Sequence, residues 1–149
     1  MKLLIRPAVS ADLFSLMTLE KHAATAAHWS ADRYEALFHD ANSNRIALVI
    51  EEEQIQGFVI ASAVGVEWEI ENIAISGQAR RRGLGTRLLG ELLDMARARG
   101  AESVFLEVRE FNRAARALYE KWAFVESGRR KKYYKDPQED AVVYRLVLN

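Results

Sequence analysis

Ile73-Ala74-Ile75-Ser76-Gly77-Gln78-Ala79-Arg80-Arg81-Arg82-Gly83-Leu84-Gly85-Thr86 reads as the end of an apolar strand, a polar turn, three cations and the start of a helix. The first N–H groups of a helix have no internal acceptor, and the helix dipole places about half a positive charge there. An anion fits such a terminus, and Gly83 and Gly85 let the backbone approach a diphosphate with no Cβ in the way. Arg80, Arg81 and Arg82 add positive charge. Two familiar phosphate loops fail on spacing. The dinucleotide fingerprint requires a third glycine where Leu88 stands, and the Walker loop requires Lys and then Ser or Thr where Thr86-Arg87 follow Gly85. A solvated basic turn before an ordinary helix is the plainer alternative; strand, arginines, glycines and helix in that order weigh against it.

Upstream, Val66, Trp68 and Ile70 alternate with Glu67, Glu69 and Glu71, and then the phase flips, because Ile73 and Ile75 take the parity of the glutamates. Either both faces are covered there or an extra residue makes a β-bulge near Asn72, leaving backbone groups available to a ligand. Downstream, a helix is predicted from about Gly83 to Arg99, with Leu84, Leu88, Leu92 and Met95 on one face and Gly100 as its stop. Ser103 to Val108 is a strand, Asn112 to Trp122 a helix, and strands near Phe124 to Arg129 and Ala141 to Leu148 flank a polar loop from Lys135 to Asp140. Towards the N-terminus, Leu3 to Pro7 is a short strand and Ser10 an N-cap for a helix carrying Leu13, Leu16, Met17 and Leu19. The stretch Ala23 to His28 breaks the pattern, and Ser30 caps a second short helix running towards Phe38. Arg45 to Ile50 and Gly57 to Ala63 form a hairpin whose polar turn ends in Gly57. Helices interrupt the strands instead of alternating with them, which predicts an α/β fold, α+β by stricter naming: a mixed sheet with helices on both faces.

The 149 residues fit one domain, residues 1–149, with room for a sizeable core and none for a second. Half the residues are hydrophobic and 28% charged, a globular composition, and 21 Lys+Arg against 21 Asp+Glu argue against a dedicated nucleic-acid binder. Without cysteine there is no disulfide, no zinc–thiolate site and no cysteine nucleophile, and His22, His28 and His39 show no metal-ligand spacing, so no metal is expected. The apolar run after Met1 is too short for a secretion signal and nothing approaches a membrane span, so the expected location is the cytoplasm and no membrane partner is expected.

Arg80-Arg81-Arg82-Gly83-Leu84-Gly85 resembles the Arg/Gln-x-x-Gly-x-Gly/Ala motif of the GNAT superfamily of N-acetyltransferases, and the element order resembles that family along nearly the whole chain. The resemblance implies a mostly antiparallel central sheet and acetyl-CoA as co-substrate, its pyrophosphate held by backbone amides of the loop from Arg80 to Thr86. It further implies that the pantetheine arm pairs with the strand at Ile73, Ala74 and Ile75.

Acetyl transfer to an amine requires a group that removes the amine's proton and one that protonates the departing thiolate. Glu107 shares a strand face with Phe105 and Arg109, opposite Val104, Leu106 and Val108, and is a candidate base, directly or through water. Tyr119 lies on the apolar face of the next helix with Ala115, Leu118 and Trp122; its hydroxyl needs a polar partner and is a candidate acid. A free N–H on the bulged strand would stabilise an oxyanion. Read alone, Glu107 is equally a strand glutamate paired with an arginine, and Tyr119 a core tyrosine. Leu106-Glu107-Val108-Arg109, then Asn112, then Leu118-Tyr119-Glu120 and Phe124 resemble the RimI-type enzymes, which acetylate the N-terminal alanine of a small-subunit ribosomal protein. That resemblance implies Glu107 as proton acceptor, Tyr119 as proton donor and Asn112 as a cofactor contact. Trp29-Ser30 and the segment from Arg129 through Tyr133-Tyr134 to Ala141 resemble the subfamily's opening and closing segments. Phe111 departs from the usual Ser and Ala123 from the usual Gly before Phe124; Phe111 bears on acceptor choice, and Ala123 matters less if the backbone there avoids positive φ.

An α-amine with a pKa near 8 costs about 1.4 kcal/mol to deprotonate at pH 7 against roughly 4.6 kcal/mol for a lysine, so an N-terminal acceptor asks less of its base. Glu67, Glu69 or Glu71 would welcome the acceptor's charge if they line the groove, Glu71 foremost, and Trp29, Tyr133 and Tyr134 would form its aromatic wall; a solvated strand face and packing tyrosines are the plainer readings. The cations from Arg129 to Lys132 suit an acidic peptide or ribosomal RNA, and a solvated face as well. The leading expectation is therefore acetylation of a peptide N-terminus, against a small-amine or lysine acetyltransferase and a non-catalytic acyl-CoA binder.

Overall fold

The computed structural model describes residues 2–23, 27, 29–39, 44–77 and 82–148. Strand β1 (Leu4–Pro7) leads through a 3₁₀ turn (Ser10–Asp12) into α1 (Leu13–His22) and α2 (Ala31–Ala36). Strands β2 (Arg45–Glu52), β3 (Gln54–Val64) and β4 (Glu67–Ile75) follow, then α3 (Leu84–Ala98), β5 (Ser103–Arg109), α4 (Arg113–Lys121), β6 (Val125–Tyr134) and β7 (Glu139–Val147). The seven strands form one sheet in the order β1-β2-β3-β4-β5-β7-β6, antiparallel at every step except between β4 and β5.

Period-two alternation sends successive side chains into two cores. On β3, Val59 and Ala61 pack with Leu88, Leu89 and Leu92 of α3 and with Ala115 and Tyr119 of α4. Phe58 and Ile60 enter the opposite layer with Leu16 of α1 and Tyr34 of α2. Burying each of the larger side chains contributes on the order of 1.5–3 kcal/mol.

The phase flip in β4 is a bulge. Ile60 of β3 pairs with Asn72 and Ala61 with Ile70, so Glu71 is the extra residue. Trp68 and Ile70 before it, and Ile73 after it, therefore reach the same core despite their opposite parity. The bulge also turns Asn72 into the other layer, where it is buried. Its Oδ1 accepts the Ala27 N–H at 2.8 Å and its Nδ2 donates to the Tyr34 hydroxyl at 2.8 Å, which ties the segment between α1 and α2 to the sheet.

Local differences from the sequence reading have clear causes. Ser30 does cap α2, accepting the Arg33 N–H. Ser10, however, lies inside the 3₁₀ turn, and the capping role falls to Asp12, whose carboxylate accepts the Val9 N–H at 2.8 Å and is held in place by Arg6. The β2–β3 turn is tighter than expected and sits at Glu53, with φ 61°, while Gly57 lies inside β3. β6 runs on to Tyr134, beyond the predicted end near Arg129, and β7 starts at Glu139, which shortens the predicted loop. The break predicted over Ala23 to His28 falls partly outside the described residues, as do Arg80 and Arg81 of the loop.

Ala123 adopts φ 69°, so the condition under which this departure would matter less is not met. It closes α4 in a Schellman motif: the Phe124 N–H reaches the Tyr119 carbonyl at 3.1 Å and the Ala123 N–H the Glu120 carbonyl at 3.0 Å. The rings of Tyr119 and Phe124 meet with centroids 5.8 Å apart, the apolar contact that accompanies such a cap. A Cβ in the left-handed region costs roughly 1–2 kcal/mol, partly offset by the greater chain entropy that glycine loses. Ala123→Gly is thus expected to stabilise the protein by roughly 1 kcal/mol, a rise of about 2–4 °C in Tm by calorimetry; an unchanged or lower Tm would show that the strain is relieved elsewhere.

Candidate active site

The ladder between β4 and β5 is short. Glu67, Trp68 and Glu69 pair in parallel with Ser103, Val104 and Phe105, and no further pairs form although β4 runs to Ile75 and β5 to Arg109. A cavity of about 230 Å³ lies where the pairing stops, lined by Ile70, Glu71 and Asn72 from β4 and by Glu107, Val108 and Arg109 from β5.

The interruption joins the two faces of the sheet. Glu107 belongs to the face of β5 opposite the α3–α4 core, whereas Tyr119 is part of that core, yet both line this cavity. Asn112 does too; as N-cap of α4 it accepts the Ala115 N–H at 3.1 Å, which fixes the start of the helix that carries Tyr119. Trp29, Tyr133 and Tyr134 complete the wall, so the structure brings together the predicted base, acid and aromatic residues.

Three carboxylates face the cavity in different states. Glu71 is engaged by Arg45 at 2.7 Å and Arg33 at 3.6 Å, and Arg33 stacks 3.9 Å over the Trp29 ring. This pairing uses Glu71 to build the wall. Glu107 is mostly covered and pairs through Oε1 with Arg130 Nε at 3.0 Å. Glu69 makes no ion pair among the described residues, and its carboxyl is held above the usual range by burial and by the charges of Glu71 and Glu107. Glu67 lies away from the cavity, bonded to Ser103 and Arg145. Alternation placed Glu67, Glu69 and Glu71 on one face, but which of them would find an arginine depended on Arg33, Arg45 and Arg145, which no spacing connects to them. Arg33 and Arg109 of the wall are among the residues that the sequence reading did not assign to the site, and Arg130, read there only as part of a cationic run, pairs with Glu107.

At the loop, Gly83 precedes α3 with φ 75°, a conformation that favours glycine. The N–H groups of Leu84, Gly85 and Thr86 precede the first intrahelical bond, from Arg87 N–H to the Gly83 carbonyl at 3.0 Å. A Cβ on Gly85 would stand 3.4 Å from Ile75, an ordinary contact, so packing alone does not demand glycine there. Arg82 turns back to Glu52 at 2.9 Å, and Thr86 accepts the Trp122 indole N–H, so both side chains hold the loop and helix in place.

Burial dominates the tyrosines. It pushes the Tyr134 hydroxyl up to about 12 and raises Tyr119, Tyr34 and Tyr144 as well. Because the folded values exceed the unfolded value of about 10, the stabilisation is fully present below about pH 10 and is lost as pH rises through the folded values. Alkaline titration is expected to show the phenolate absorbance of these residues rising together with unfolding above pH 10; independent ionisation near pH 10 in the folded state would contradict their burial.

The acetyltransferase (GNAT) family profile matches residues 11–124. The chain is 44% identical over 103 residues to the ribosomal protein bS18-alanine N-acetyltransferase of Haemophilus influenzae, covering 67% of this chain and 70% of that one. With the enzyme of the same name from Salmonella typhimurium it shares 39% over 100 residues, 66% of this chain and 68% of the other. The crystal structure of the ribosomal-protein-S18-alanine N-acetyltransferase from Escherichia coli superposes with a TM-score of 0.84 at 29% identity, over 99% of this chain and 95% of that one. Arabidopsis thaliana NAA60 in complex with acetyl-CoA shares the fold, with a TM-score of 0.87 at 17% identity over 99% of each chain. Profile, relatives and fold agree: the chain belongs to the acetyltransferase (GNAT) family and is an acyltransferase.

Proposed function

We propose that residues 1–149 form a single N-acetyltransferase domain that uses acetyl-CoA to acetylate the N-terminal amine of a peptide, with the N-terminal alanine of ribosomal protein bS18 as the acceptor. The observation that carries this is the meeting of Glu107 and Tyr119, from opposite faces of the sheet, in one cavity at the end of the β4–β5 ladder. The named activity of the bacterial relatives supports the acceptor.

The residues present fit the co-substrate. The loop offers a left-handed Gly83 and helix N–H groups for a pyrophosphate, and no side chain needs to move aside at Gly83, around which a Cβ would meet nothing within 4 Å. Ile73, Ala74 and Ile75 lead from the cavity to this loop and would carry the pantetheine arm; Arg80, Arg81 and, once released from Glu52, Arg82 would add charge at the phosphates. Bound acetyl-CoA supplies the activated acyl carbon and the thiolate leaving group. Trp29, Tyr133 and Tyr134 hold the acceptor's first residues, Glu107 takes the proton from its amine, and Tyr119 delivers a proton to the sulfur. Raised by burial, Tyr119 keeps its proton at neutral pH and so has one to give to the departing thiolate. No helix among the described residues is long and apolar enough to cross a membrane; an unmodified ribosomal protein would be met in the cytoplasm.

Thiol release from acetyl-CoA tests the reading with three acceptors: a peptide beginning with Ala, its N-terminally blocked twin, and a blocked peptide carrying an internal lysine. Turnover on the open peptide alone is expected, and Glu107→Gln is expected to lower kcat by about 10²–10⁴ while acetyl-CoA affinity stays within twofold. Equal rates on the lysine peptide would replace the acceptor, and an unchanged kcat would remove Glu107 as base. Gly83→Asp, which puts a side chain and a negative charge into the cradle, is expected to abolish acetyl-CoA binding by calorimetry; normal affinity would refute the loop assignment.

A further inference from the structure

The proposed base is already occupied by a cation. Arg130 Nε lies 3.0 Å from Glu107 Oε1, and the two ends of the pair differ in environment: the arginine side chain is 56% exposed and the carboxylate 13%. While this pair lasts, the oxygen that would meet the acceptor's amine is taken by a guanidinium. The arginine regains water as it leaves, but the covered carboxylate left behind needs another cation in its place.

Arg130 does not depend on Glu107 alone. Its guanidinium lies 5.3 Å from the centroid of the Tyr133 ring, a cation–π contact on the same strand that it makes beside the ion pair. Arg130 is also the last residue of the regular β6–β7 ladder, paired with Ala141; pairing resumes only at Tyr134 with Glu139, and Lys132 between them has φ 53°. The other arginines of the wall are committed elsewhere, Arg33 to Glu71 and Arg109 to Glu139.

Building on the assignment of Glu107 as base, we propose that Arg130 is a positioning residue that holds Glu107 in the acceptor-free enzyme and cedes it to the acceptor's ammonium group, so that the base is reserved for amines that arrive as cations. An ammonium restores the ion pair that Arg130 gives up; an acceptor that is neutral on arrival does not, and must leave the carboxylate to the arginine. The proton that Glu107 then accepts is the acceptor's own.

Arg130→Met and Arg130→Lys test this in steady-state assays with a peptide beginning with Ala and the same peptide with its N-terminal amine replaced by an aminooxy group, which is neutral at pH 7. Arg130→Met is expected to lower KM for the ammonium peptide about three- to five-fold, with the gain in KM rather than kcat, and to narrow the preference over the aminooxy peptide. Arg130→Lys, which keeps the charge, is expected to restore most of the wild-type preference. An unchanged or raised KM in Arg130→Met, with the preference unmoved, overturns the inference. Glu107→Gln in the same assay separates the two levels: retained turnover there overturns the base assignment and this inference with it, whereas lost turnover beside an unmoved Arg130→Met overturns this inference alone.

Discussion

Everything at the candidate site depends on the sheet being interrupted between β4 and β5. A continuous sheet is a barrier: residues on its two faces cannot share a cavity, and strand backbones satisfied on both sides have nothing to offer a ligand. Here the parallel ladder ends after Glu69 and Phe105. Past that point Tyr119 of one core and Glu107 of the other face line the same space. The bulge at Glu71 works with this interruption, reversing the side-chain phase of β4 so that Asn72 ties the α1–α2 segment over one face while Ile73 returns to the core on the other.

Two elements position the chemistry by capping helices. Asn112 fixes the start of α4 and the Schellman motif around Ala123 fixes its end, with the Tyr119 carbonyl and ring both engaged by Phe124. A nine-residue helix is marginal alone, so these caps and the burial of Ala115 and Tyr119 hold its register. The proposed acid is therefore placed by backbone geometry as much as by its own side chain.

Most of the fold was legible in the sequence because its signals are local. Alternation marked the strands, spacing marked α3 and α4, Ser30 and Asn112 marked helix starts, and the parity change at Glu71–Asn72 left a bulge as one of two readings, which the register of β3 with β4 decides. The misplaced Ser10 cap shows the limit of such signals: Asp12 prevailed because Arg6, six residues earlier, locks its carboxylate against the Val9 N–H. Ion pairs across strands were illegible for the same reason. Glu69, Glu71 and Glu107 look alike in sequence, and partners as remote as Arg45 and Arg130 decide that, among the described residues, two are paired and one is not.

The cationic run from Arg129 to Lys132 has another consequence because β6 is the outer strand of the sheet, exposed along nearly its whole length. An outer strand is an open template for a second chain. Lysines at 131 and 132, together with the irregular pairing between Arg130 and Tyr134, make that template repulsive and crooked. The opposite border, β1, is only four residues long and ends in Pro7, which has no N–H to offer. Both borders of the sheet are thus poor seeds for strand-to-strand aggregation, a protection that charge-removing substitutions on β6 would weaken during expression at high concentration.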